Sequence, residues 1–199
     1  MLLERNYMLY LIRHGTTQFN SRAEVQEHGE RIRGWLNISL DEDGRQQARD
    51  AAHKLKDKYV NLMFHSVLKR AEETCEEVAS VINIPYEPSM GLTPWNIGMI
   101  NGMLLTEAIP LMTKYFDTPL VPVPEGESYS EFYNRWKNEL FSLMKIAEKL
   151  NVIAVTHSRN MYCLQHILTK GVEPITFRGL PVPGGIVEIN PHTLQTKIL

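Results

Sequence analysis

The stretch Met8-Leu9-Tyr10-Leu11-Ile12-Arg13-His14-Gly15-Thr16-Thr17 decides the fold. Residues 8 to 12 form an apolar run rich in β-compatible side chains, and Gly15 follows almost at once, so the pattern predicts a buried strand and then a tight turn. The same pattern recurs twice. Asn61 to His65 is a second short strand, followed by Ser66-Val67-Leu68-Lys69-Arg70-Ala71-Glu72-Glu73-Thr74. Val152 to Val155 is a third, too short and β-branched for a helix, followed by Thr156-His157-Ser158-Arg159-Asn160.

Helical patterns alternate with these strands. Asp41 is placed to cap a helix over Glu42 to Lys56, where Ala48, Ala51, Ala52 and Leu55 recur at helical spacing. Leu68, Ala71, Cys75, Val78 and Ile82 mark one face of a helix that Ser66 could cap. Ser128 and Glu131 have capping-box spacing ahead of a long stripe from Tyr129 to Ala147, with Asn151 as a C-cap candidate, and Asn160 to Leu168 is again helical. Such alternation predicts an α/β fold: a three-layer α/β/α domain with a mostly parallel central sheet, helices on both faces, and closing strands near Ile186 to Ile189 and Leu194 to Ile198. No repeat or flexible linker divides the chain. One domain over 1–199 is expected, with a small cap or loop region around 90–127 that contains the stiff segment of Pro119, Pro122 and Pro124.

Composition narrows the function. The 199 residues carry 21 Lys+Arg against 23 Asp+Glu, a formal charge of -2. A chain of this size buries roughly 70% of its unfolded surface and needs neither disulfides nor a structural metal to hold a core. The charge balance argues against a nucleic-acid binder, which usually shows a basic excess. Cys75 and Cys163 make no CxxC spacing, so no zinc site is suggested and a reducing cytoplasm is the expected location. Glu4 and Arg5 interrupt the first apolar stretch as a signal peptide, and no later run has membrane-spanning length. Neither membrane nor nucleic acid is therefore expected as a partner.

In parallel α/β sheets ligands bind beyond the carboxyl ends of the strands. All three strand ends here deliver a cation or a histidine, in a chain that is slightly acidic as a whole. A phosphoryl group in transfer spreads negative charge over its equatorial oxygens, so a site that moves one needs fixed donors around a nucleophile. Arg13 and Arg70 have the planar fork that matches phosphate oxygens. His14 suits the nucleophile, since a neutral imidazole nitrogen attacks near pH 7 without a further base. Gly15 removes a side chain where the backbone turns near the ligand. Taken singly, an Arg-His-Gly triplet arises by chance, His157 could be structural, and Arg70 could belong to a solvated helix face; their joint appearance carries the inference.

With these segments in order, the chain resembles the histidine phosphatase superfamily, the phosphoglycerate-mutase-like proteins, over nearly its whole length. Arg13-His14-Gly15 with Thr17 and Asn20 matches the opening motif, and Ser66-x-Leu68-x-Arg70-Ala71-x-x-Thr74 matches a highly specific second string. Residues 31 to 48, with Gly34, Leu40, Gly44, Gln47 and Ala48, resemble another block, with Asn37 where aspartate is usual. Pro124-Glu125-Gly126-Glu127-Ser128 resembles the family's Pro-Gly-Gly-Glu-Ser loop, and His157 falls where the second essential histidine stands. The resemblance implies that His14 accepts the phosphoryl group of a small phosphorylated molecule and water then releases it, with no metal or other cofactor. Arg13, Arg70 and His157 would hold the oxygens, with Gly15, Thr17, Asn20 and Ser158 as binding residues. His157 is expected to act protonated.

One position departs from the family pattern. The family commonly carries a glutamate as proton donor in a Leu-x-Glu-x-x-x-Gly context, and here Leu92-Thr93-Pro94-Trp95-Asn96-Ile97-Gly98 has Pro94 in its place. A general acid contributes about 100- to 10,000-fold. Either another carboxylate serves, with Glu127 or Glu125 nearest by motif, or the substrate has a good leaving group, or the protein binds a phospholigand and turns it over poorly. The expected function is a metal-independent phosphatase acting through a phosphohistidine. Phosphoglycerate mutase and a weakly active or inactive phospholigand-binding protein are the alternatives.

Overall fold

The computed structural model describes residues 7–171 and 181–199; the N-terminal stretch considered as a signal peptide lies largely outside them. In chain order the elements are β1 (Leu9–Arg13), α1 (Arg22–His28), α2 (Glu42–Leu55), β2 (Leu62–Ser66), α3 (Lys69–Ile82), β3 (Tyr86–Ser89), α4 (Leu105–Asp117), α5 (Tyr129–Ala147), β4 (Val152–Thr156), α6 (Ser158–Tyr162), α7 (Leu164–Leu168), β5 (Ile186–Ile189) and β6 (Thr196–Ile198). The six strands form one sheet in the order β3-β2-β4-β1-β5-β6. β1 to β4 run parallel and β5 and β6 antiparallel to their neighbours, so the sheet is mostly parallel with an antiparallel closing pair.

Alternation along β1 explains the layers. Leu9 and Leu11 point to one face with Ala154 and Val152 and meet Phe132, Trp136 and Leu140 of α5. Tyr10 and Ile12 point to the other with Ile153 and Val155 and meet Ala51, Ala52 and Leu55 of α2 and Ala71, Cys75 and Val78 of α3. Both faces are therefore covered, as near-continuous apolar strands require.

Several local signals act as expected. Asp41 accepts from Gly44 N at 2.7 Å at the start of α2. Ser128 and Glu131 form a reciprocal capping box at α5. Other details differ. Ser66 receives only the Leu68 N–H, at 3.4 Å, and α3 starts without a side-chain cap. Asn151 lies beyond the end of α5 and instead bonds Met8 N and the Lys58 carbonyl, tying β1 to the loop before β2. The segment 160–168 breaks at Cys163 into the short α6 and α7. Helices α1 and α4 and strand β3, which lack a clean period in the sequence, are additional.

Helix α4 rises from the 90–127 region and is fastened at its start to the loop before α2. Leu105 N donates to the Glu30 carbonyl at 2.7 Å, and Ile32 exchanges backbone bonds with Gly102 and Met103. These bonds set α4 as a wall beside the carboxyl ends of the parallel strands.

Candidate active site

Parallel pairing brings the ends of β1, β4 and β2 to one edge. Arg13 is in register with Thr156, and His14 N donates to the Thr156 carbonyl at 3.0 Å, which sets His14 beside His157 with ring centroids 5.0 Å apart. Helix α3 then swings Arg70 inward from the end of β2. Its spacing has a clear physical use: Arg70 and Thr74 share a face four residues apart, and Thr74 Oγ1 accepts from Gly15 N at 3.2 Å while donating to the Arg70 carbonyl at 2.7 Å. One hydroxyl thus locks the turn after β1 to the helix that carries the arginine.

The proton on His14 is placed by its neighbours. Nδ1 lies 2.7 Å from the Gly15 carbonyl, which can only accept, so Nδ1 carries the hydrogen and Nε2 keeps its lone pair. Arg70 Nε donates to that Nε2 at 3.2 Å. The rest of the Arg70 fork is clamped by backbone, Nη1 on the Leu36 carbonyl at 2.8 Å and Nη2 on the Gly34 carbonyl at 2.7 Å. Gly34 has a φ of 45°, and an added Cβ would strike the Asn101 side chain, so glycine is what lets this turn come close enough to clamp.

Arg33, beside Gly34, is a cation that motif matching passed over. It lines the cleft, and its Nη1 lies 3.6 Å from Glu30, an ion-pair distance too long for a hydrogen bond. The sequence signal available was a second arginine next to a turn glycine in the block 31–48, whose resemblance rests on Gly34, Leu40, Gly44, Gln47 and Ala48 and does not include Arg33. Arg13 completes the set, with Nη1 on the Pro181 carbonyl at 3.0 Å and a buried Nε that has no partner.

Arg13, Arg33 and Arg70 thus meet two imidazoles, with Arg159 a fourth guanidinium in the lining and Glu30 the one carboxylate among the described residues that line the cleft. Burial, and then the charges of Arg70 and Arg33, hold His14 well below the usual imidazole value. Burial, Arg70 and His14 do the same to His157. Arg70 is pushed down to about 9 by burial and by Arg33, and Arg13 to about 10 by the same two causes. The arginines stay charged at neutral pH and both histidines are neutral. For His157 to act protonated, as expected, the proton must arrive with an anion. Both ring nitrogens of His157 are buried and have no protein hydrogen-bond partner, which leaves the ring available to a ligand in the cleft.

The cleft of about 480 Å³ therefore joins Arg13, His14, Arg70, His157 and Ser158 of the expected residues. The others lie elsewhere. Gly15 packs against the backbone of Gly44 in α2, so its missing side chain serves helix packing and not ligand approach. Thr17 and Asn20 bond each other at 2.9 Å and lie outside the lining. Glu127 is also outside it: its Oε1 accepts from Arg135 at 2.6 Å and from Asn96 N at 2.9 Å, which commits the carboxylate to holding the 94–98 loop. Glu125 occupies a turn at a φ of 62°. Pro94 does line the cleft, its carbonyl bound by Trp35 Nε1 at 2.8 Å. Among the described residues no group of three His, Cys, Asp or Glu side chains is placed to hold a metal ion, and no helix is long and apolar enough to cross a membrane.

Comparison with known proteins agrees with this geometry. Residues 9–193 match the family model of the histidine phosphatase superfamily, branch 1. The chain belongs to the histidine phosphatase superfamily. It is 29% identical over 163 residues to phosphoserine phosphatase 1 of Hydrogenobacter thermophilus, covering 78% of this chain and 74% of that one. It is 26% identical over 179 residues to a probable phosphoglycerate mutase of Erwinia tasmaniensis, covering 87% and 75%. The fold matches the solved mycobacterial glucosyl-3-phosphoglycerate phosphatase with a TM-score of 0.74 at 19% identity, over 96% of both chains. Family and relatives together support a phosphatase, a hydrolase of phosphoric monoesters.

Proposed function

We propose that the protein hydrolyses small phosphorylated molecules through a phosphohistidine on His14, without a metal. The observation that carries this is the tautomer: Nδ1–H is spent on the Gly15 carbonyl, so Nε2 keeps its electron pair and turns it to the arginine cluster, where it accepts from Arg70 Nε at 3.2 Å. A phosphoryl group entering the pocket takes over the donors of Arg13, Arg33 and Arg70 and draws a proton onto His157. Arg70 Nε then releases Nε2 for attack. The Nε2–P bond forms as the ester P–O bond breaks, and the departing oxygen takes a proton. Glu30 lines the cleft and, as the carboxylic acid, supplies it and becomes the carboxylate. Water next attacks phosphorus and gives a proton to that Glu30 carboxylate, the N–P bond breaks, and inorganic phosphate leaves with His14 and the Glu30 acid restored.

Small-molecule size follows from the cleft volume of about 480 Å³, and a reducing cytoplasm suits Cys75 and Cys163, both buried and unpaired. The 90–127 region serves as a small cap on a single catalytic domain. The mutase-named relative keeps phosphoglycerate isomerisation as the second reading. The test is hydrolysis of p-nitrophenyl phosphate in chelator by the wild type and His14→Ala, with 3-phosphoglycerate in parallel. At least a 1,000-fold loss in the variant, with phosphate released from the ester, supports the proposal. Equal rates would overturn it, and conversion of 3- to 2-phosphoglycerate without phosphate release would favour the mutase.

A further inference from the structure

Beyond the arginine cluster the cleft changes character. Leu105, Ile109, Met112 and Phe116 follow one another at helical spacing on α4, and all four line it. Trp95 and Ile97 add to the apolar lining, both essentially buried. A stripe of this kind on a helix ordinarily packs into a core. Here Ile109 is 52% and Phe116 36% exposed, so part of the stripe is left uncovered beside the phosphoryl pocket. Arg159, also in the lining, has its guanidinium carbon 5.0 Å from the Tyr162 ring centroid and 6.0 Å from that of Trp95, so it sits against the aromatic part of the wall.

A phosphoryl group fills only one end of a cleft of about 480 Å³, a volume that suits a larger organic ligand. We infer that the preferred substrates are phosphomonoesters whose alcohol or phenol carries an extended apolar body, laid along α4 while the phosphate sits on the arginines. The inference rests on the phosphatase reading and adds the chemistry of the leaving group. Short polar alcohols such as serine or glycerate leave the α4 stripe wet and give up that contribution.

A series of 4-alkylphenyl phosphates, from methyl to hexyl, varies apolar length at nearly constant leaving-group acidity. The expected result is a rise in kcat/KM of about fourfold for each methylene that reaches the wall, the factor that ~0.8 kcal/mol per buried methylene corresponds to. Ile109→Ser should cut the hexyl-to-methyl ratio at least fivefold. Leu120→Ser, an exposed apolar position outside the cleft, should leave the ratio as it is. A flat series, or a higher kcat/KM for phosphoserine than for the hexyl ester, would overturn the inference while leaving the phosphatase reading in place. Failure of every ester to turn over, with no phosphorylated His14, would overturn that reading and this inference with it.

Discussion

Arg70 donates Nε–H to Nε2 of His14 at 3.2 Å, while its two terminal nitrogens are held by the carbonyls of Gly34 and Leu36. The arginine guards the nucleophile's lone pair until a phosphate takes its place. Lysine has the charge without the fork, and with all its donors on one nitrogen it cannot span the three separate acceptors. Arg70→Lys should lower kcat/KM for an aryl phosphate by roughly 10- to 200-fold, the factor that ~1.5–3 kcal/mol per charged hydrogen bond represents. Steady-state kinetics checks the rate, and a thermal melt should show a lower midpoint as the two carbonyls lose their partner.

Arg33 tests the cation that motif matching missed. It perturbs His14, Arg70 and Arg13 alike and so acts on the whole pocket. Arg33→Gln should weaken binding of inorganic phosphate about tenfold or more by calorimetry, since the anion loses a buried guanidinium. It should also raise the stability of the ligand-free protein, because like charges are relieved.

The two carboxylates considered as proton donors should separate cleanly. Glu30→Gln should slow hydrolysis of alkyl phosphates by about 100-fold and of aryl phosphates much less, because a phenolate leaves without help. Glu127→Gln should lower the melting midpoint through loss of the 2.6 Å ion pair with Arg135, and should slow both ester types by similar factors. Rates across a series of leaving groups decide this.

Acid should destabilise the ligand-free protein. His14 and His157 have folded values below their unfolded value of about 6.5, so the unfolded chain binds more protons at mildly acid pH. Their contribution is present above that value and is lost as pH falls through and below it, with a slope approaching about 2.7 kcal/mol per pH unit for two protons. Urea melts at pH 7 and pH 5 should show this loss, and saturating phosphate should reduce it by taking a proton onto His157. A pH-independent midpoint would contradict the neutral histidine pair.

The sheet was legible because three apolar runs each end in residues that no buried strand needs, so Arg13-His14, Ser66 with Arg70, and Thr156-His157 mark both the fold and the pocket. Helix α4 was hidden because its face toward the cleft and its exposed face are both apolar, Leu111 being 39% exposed, and Pro110 interrupts the pattern. Arg33 and Glu30 were hidden for a different reason: a turn carries them, and backbone bonds to Leu105 and Gly102, far along the chain, bring that turn to the strand ends. Glu127 looked like a candidate from its motif, but its partner Arg135 lies two turns into α5, a pairing visible only once the helix is placed.

The central claim is that Nε2 of His14 carries the phosphoryl group. The most direct measurement is rapid quenching of the protein with a ³²P-labelled aryl phosphate, followed by peptide mapping. The account predicts an acid-labile, alkali-stable label on the peptide holding His14, formed faster than turnover and absent in His14→Ala. Phosphate release at an undiminished rate with no label on His14, or a label on another residue, would contradict it.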